Sequence, residues 1–77
     1  RISVSPNPFS ERLGIAMSVQ LKNPVFRLYD QLGRLIRSEP LLFGITEMEA
    51  DALPAGIYFW EVTSSGSRVK GGKLVKH

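Results

Sequence analysis

Apolar and polar residues alternate along most of this chain. Leu13, Ile15, Met17 and Val19 interleave with Arg12, Gly14, Ala16 and Ser18, the period-two pattern of a strand with one face in a core and the other in water. Phe26 and Leu28 form one face of a second strand, and Val25 and Tyr29 the other. Asp30-Gln31-Leu32-Gly33 then puts aspartate first and glycine last in a type I turn, so residues 34–38 return as a hairpin partner. Thr46, Met48 and Ala50 alternate with Glu47, Glu49 and Asp51, which predicts a strand with a charged outer face.

Leu53-Pro54-Ala55-Gly56 reads as the next turn, with Pro54 supplying a preset φ. The stretch 56–63 is the most strand-like, because Ile57, Tyr58, Phe59, Trp60 and Val62 are all β-favouring. Glu61 settles its faces: Phe59 and Glu61 belong outside, so Tyr58, Trp60 and Val62 belong inside. Ser64-Ser65-Gly66-Ser67 turns the chain into a last strand over 68–76, and residues 2–4 make a short leading strand. The aperiodic stretch 39–44 reads as a loop crossing between sheets, with Leu41, Leu42 and Phe43 partly tucked under it and covering Ile57 and Phe59. No segment carries the apolar stripe of a helix. About seven short strands separated by turns predict an all-β sandwich or small barrel.

Length narrows this to one domain, since 77 residues support a single core. There is no cysteine, so neither a disulfide nor a thiolate metal site supplements that core. No apolar run approaches the roughly 18 residues that span a bilayer. The chain opens on Arg1 with no signal-peptide stretch after it, and is expected to be a fragment (residues 1–77) of a longer exported protein. A net charge of +3 is too small to argue for nucleic acid. The charge is uneven, however: Arg68, Lys70, Lys73 and Lys76 follow Glu61 with no acidic residue after it, a basic end that serves solubility or meets an anionic partner.

Candidate chemistry is sparse. The single histidine is His77, at the end of the sequence given, and no cysteine nucleophile exists. Gly71-Gly72 lacks the spacing and following helix of a phosphate loop. Glu47, Glu49 and Asp51 share a strand face, but a straight row does not enclose a calcium ion, and a solvated face is the preferred reading. No catalytic residue, metal or cofactor is assigned.

Four stretches in order, Pro6-Asn7-Pro8-Phe9, Leu28 through Ile36, Leu53 through Phe59, and Gly72-Lys73-Leu74-Val75-Lys76, resemble the C-terminal sorting domain, type A, of the type IX secretion system of Bacteroidota. Each motif alone is a turn flanked by strand residues; their order and spacing give the resemblance its specificity. It implies an immunoglobulin-like β-sandwich of mainly antiparallel strands that directs an N-terminal cargo domain through an outer-membrane translocon. The cargo passes the periplasm on its way to the cell surface or medium, and a sortase-like surface protease is the expected second partner. Lys73, Leu74, Val75 and Lys76, with Gly72, match the ending implicated in recognition. Pro6, Asn7, Pro8 and Phe9 match the opening motif, with Phe9 expected to cap the sandwich. Asp30 and Gly33 match the central turn, and Pro54, Gly56 and Tyr58 the turn and core anchor before the penultimate strand. Trp60 departs from the aliphatic residue the family more often has there.

Lysines and glycines suit the last strand to a sheet edge. An uncovered edge bearing four cations could be read by strand addition and charge pairing. The competing reading is an adhesin or carbohydrate-binding module, for which one tryptophan is thin support.

Overall fold

A computed structural model describes all 77 residues. Seven strands follow one another with no helix: β1 (Ile2–Ser5), β2 (Arg12–Met17), β3 (Pro24–Tyr29), β4 (Leu35–Pro40), β5 (Gly44–Glu49), β6 (Gly56–Ser64) and β7 (Ser67–Lys76). They form a three-stranded sheet, β1-β2-β5, and a four-stranded sheet, β4-β3-β6-β7, every pair antiparallel. Consecutive strands pair within one sheet or cross to the other, and β2 meets β5 while β3 meets β6. This is the connectivity of an immunoglobulin-type sandwich, with the barrel alternative excluded.

Each inner face is built by alternation. Leu13, Ile15 and Met17 of β2 face Phe26 and Leu28 of β3 and Tyr58, Trp60 and Val62 of β6 across a core of 15 buried residues. The rings of Phe26 and Trp60 stack with centroids 6.0 Å apart, the offset arrangement aromatic pairs prefer. The alternation of β6 therefore fell as its charge required, with Phe59 45% exposed.

Turn chemistry sets the registers. Gly33 N–H donates to Asp30 O at 3.0 Å, and Asp30 Oδ1 also accepts from the backbone of Leu32 and of Arg34. The bonds to the carboxylate, the Arg34 backbone N–H first among them and the Arg34 Nε on Oδ2 at 2.8 Å beside it, hold the Asp30 carboxyl below its usual pKa. Between β6 and β7, Ser65 and Gly66 both have positive φ (50° and 87°), the two-residue loop whose twist matches a hairpin. A bulge at Val62/Thr63 then shifts this register by one residue, so Trp60 pairs with Gly72.

Several boundaries differ from the sequence reading. Val19 lies beyond the end of β2, because pairing with β1 and β5 stops at Met17. The hairpin partner β4 runs on to Pro40. Leu41 is buried in the crossover, as expected, but Leu42 and Phe43 are exposed (73% and 62%) and do not cover the outer face. The hydrogen-bonded turn before β6 is Ala50–Leu53, closed by Leu53 N–H to Ala50 O at 3.1 Å, and not Leu53–Gly56. Pro54 has another use: its carbonyl accepts from the Tyr58 hydroxyl at 2.6 Å. A tyrosine near the start of a strand, bonded to backbone four residues upstream, is the tyrosine corner of such sandwiches. Burial pushes that phenol above its ordinary pKa.

Two outcomes follow. Tyr58→Phe keeps the ring and loses the corner bond, a cost of about 1 kcal/mol, so thermal melting should show a midpoint lower by about 4–8 °C. Asp30→Asn keeps an acceptor for the turn but removes a carboxylate whose folded pKa is depressed. The Asp30 contribution is complete above the ordinary carboxylate pKa, near 4, and is lost as pH falls through the lower folded value. Melting midpoints taken from neutral pH down to about 2 should therefore fall less steeply in the variant than in the parent chain.

Candidate functional site: the clamped terminal strand

The terminal strand β7 pairs with β6 from Ser67 to Lys76 and forms one edge of the four-stranded sheet. Its composition fits it poorly for the core, since among its ten residues only Leu74 is a fully buried apolar side chain (1% exposed). Backbone bonding must supply the rest, and it comes from both sides of the strand.

The side away from β6 is occupied by the segment between β1 and β2. Phe9 N–H donates to Val75 O at 2.9 Å, and His77 N–H donates to Phe9 O at 3.0 Å, forming a parallel bridge. Asn7 extends the bridge with its side chain: Nδ2 donates to Lys73 O at 3.3 Å and Oδ1 accepts from Val75 N–H at 3.1 Å. One carboxamide thus does what a strand peptide would do, offering a donor and an acceptor in register. Phe9 seats the segment, being 1% exposed with its ring edge-on to Tyr58 at 6.1 Å. The edge itself is a correction: along residues 73–77 it is covered, and strand addition there requires the segment Asn7–Phe9 to leave first.

The number of free cations is corrected too. Lys76 shares the inward face with Leu74, two residues away, and is 8% exposed with its ammonium on His77 O at 3.3 Å. Lys70 reaches across the sandwich edge to Ile2 O at 2.7 Å, tying β7 to the opposite sheet. Lys73 and Arg68 remain exposed with no side-chain hydrogen bond or ion pair.

Gly72 has a packing reason. A Cβ there would lie 2.8 Å from Trp60 Nε1 and about as close to the rest of the indole, so the tryptophan covers the bare backbone of its cross-strand partner. Trp60 and Gly72 act as one unit, which accounts locally for the aromatic at a position the resemblance made aliphatic. Gly56 opens β6 opposite Lys76. Pro6 and Pro8 are exposed, flanking the Asn7 carboxamide. Glu47 and Glu49 project from the outer face of β5, where Glu47 lies 3.8 Å from Arg12, and no three potential metal ligands gather anywhere.

Of the residues singled out from sequence, the fold joins Asn7, Phe9, Lys73, Val75 and Tyr58 at one end of β7. Gly33 stays in its own turn, whereas Asp30 lines a shallow depression together with Pro54, Gly56 and Tyr58. Sequence reading missed the Asn7 carboxamide pairing and the burial of Lys76. The second was detectable, because alternation puts Lys76 on the face of Leu74.

In class this is a small immunoglobulin-type sandwich whose terminal strand is bonded on both sides. The chain belongs to the secretion system C-terminal sorting domains, whose family model matches residues 3–77. No curated protein matches it. Its function is that of the family: a C-terminal sorting signal for type IX secretion, implying export across the outer membrane.

Replacing Asn7 with alanine should loosen the clamp without unfolding the sandwich. Hydrogen exchange at the Val75 amide is expected to quicken by about three- to tenfold, as for one lost net bond, while amides of β3 keep their protection.

Proposed function

We propose that the secretion machinery reads the folded domain at its terminal strand, with Lys73 as the presented cation. Gly72, Leu74, Val75 and Lys76 act by holding that strand in place. The observation supporting this reading is the contrast inside the family-matched ending: Leu74 and Lys76 are buried, while Lys73 is exposed and free of side-chain partners. A receptor meeting the folded domain has Lys73 to contact and little access to its inward neighbours.

In this reading the domain is a substrate and ligand, not a catalyst. Its partners are an outer-membrane translocon and a sortase-like surface protease, and the cargo lies on its N-terminal side in a longer secreted protein. The route runs through the periplasm to the outer-membrane surface or the medium. The covered edge favours recognition of side chains over strand addition, because addition would first have to displace the bonds of Asn7 and Phe9.

The experiment is export of a fluorescent reporter carrying an inner-membrane signal peptide and this chain at its C-terminus, in a bacterium with a working type IX system. The intact chain should bring reporter to the surface or medium. Lys73→Glu should cut that delivery by roughly tenfold, equivalent to about 1.4 kcal/mol of recognition, and leave the melting midpoint of the purified domain nearly unchanged. Full delivery by a folded Lys73→Glu variant would count against Lys73 as the contact.

A further inference from the structure

We propose that the outer face of the four-stranded sheet, where Phe59 shares a shallow depression with Arg68 and Lys73, docks an acidic segment of a protein partner. The inference rests on the reading that the machinery recognises the folded domain, and it supplies the chemistry of what is recognised.

The face carries apolar surface that the core does not use. Tyr29, Phe59 and Lys73 form one cross-strand row, and Leu35 pairs with Tyr29 at its far end. Phe59 and Leu35 are 45% and 53% exposed, and Leu42 and Phe43, which the sequence placed over Phe59, are themselves exposed. Side chains on a strand face cannot retract, since their direction is set by the pleat. Such surface is either left wet or covered by a partner.

Charge decides the kind of partner. Arg27 is engaged with Thr63 Oγ1 at 3.0 Å, and Glu61 accepts from the Tyr29 hydroxyl at 2.7 Å. The bond to Glu61 raises the Tyr29 pKa, so the phenol stays a neutral donor. The cations of Arg68 and Lys73 are left with no hydrogen bond or ion pair from their side chains. Both line the same depression of about 500 Å³ as Tyr29, Phe59 and Glu61. Gly71 opens its floor: any Cβ there would strike the Arg68 guanidinium, which rests on the bare backbone. The geometry therefore suits a carboxylate between the two cations and an apolar side chain against Phe59. The outer face of the other sheet lacks this excess, because Arg12 there meets Glu47 and Glu49 adds a further negative charge.

The test is titration of the isotope-labelled 77-residue chain, followed by amide chemical shifts, with three probes. One is a capped peptide alternating glutamate and leucine; the second replaces each glutamate with glutamine; the third is vesicles rich in phosphatidylglycerol. The acidic peptide should give saturable shifts centred on Phe59, Gly71, Gly72 and Lys73, with a Kd on the order of millimolar. Arg68→Ala combined with Lys73→Ala should weaken it by roughly fivefold, and added salt should weaken it further. If the double alanine variant loses its native spectrum, Arg68→Gln with Lys73→Gln serves instead. Equal binding of the glutamine peptide, shifts centred elsewhere, binding of vesicles but not peptide, or no saturation would each overturn the proposal. The reporter assay reads delivery independently: normal export with no peptide binding removes this surface, whereas peptide binding with failed export removes the recognition reading it rests on.

Discussion

A ten-residue strand with two glycines, three lysines and an arginine cannot be held by its side chains, and in this domain it is held by backbone hydrogen bonds on both sides. On one side β6 supplies an antiparallel ladder running from the tight turn to Lys76. On the other, Phe9 and the Asn7 carboxamide satisfy the outward groups of Lys73, Val75 and His77. Buried or half-buried backbone groups are costly when unpaired, so this second row of partners lets a hydrophilic terminal sequence adopt one conformation. The same bonds blunt a sheet edge that would otherwise invite indiscriminate pairing.

The clamp is possible because the sandwich positions it. The segment between β1 and β2 leaves the three-stranded sheet, and its Phe9 enters the core against Tyr58, whose hydroxyl is fixed by Pro54. Tyr58 in turn pairs with Leu74 across β6 and β7. One aromatic pair therefore links the opening motif, the turn before β6 and the terminal strand. Residues 6–9, 53–58 and 72–76 are far apart in sequence but make a single unit of structure. For a sorting signal, this coupling means that the terminal residues are displayed with defined direction: Lys73 outward, Leu74 and Lys76 inward.

The outer face of the four-stranded sheet has a different character. Its apolar residues serve no core, its one carboxylate is occupied by a tyrosine hydroxyl, and two of its cations are free. Gly71 and Gly72, adjacent in sequence, fall on opposite faces and have different neighbours. Gly72 lies beneath the Trp60 indole on the inner side, and Gly71 beneath the Arg68 guanidinium on the outer side.

Period-two alternation by itself determined the strand content, the faces of β2, β3, β5 and β6, and the core residues Leu13, Ile15, Phe26, Leu28, Tyr58, Trp60 and Val62. These are local consequences of the pleat, which sends successive side chains to opposite faces whatever the fold. The Asp30–Gly33 turn was equally legible, because its acceptor and its glycine lie within four residues. What the tertiary structure decided was everything that depends on a long-range partner. The coverage of the last edge needed the sheets to bring residue 7 to residue 75. The pairing of Trp60 with Gly72 needed a bulge that counting outward from the turn does not reveal. Exposure of Leu42 and Phe43 depended on the path of the crossover. The cation of Lys70 was drawn to Ile2 by a contact between sheets. Alternation gives a residue its face, but only the assembled sandwich determines what lies opposite it.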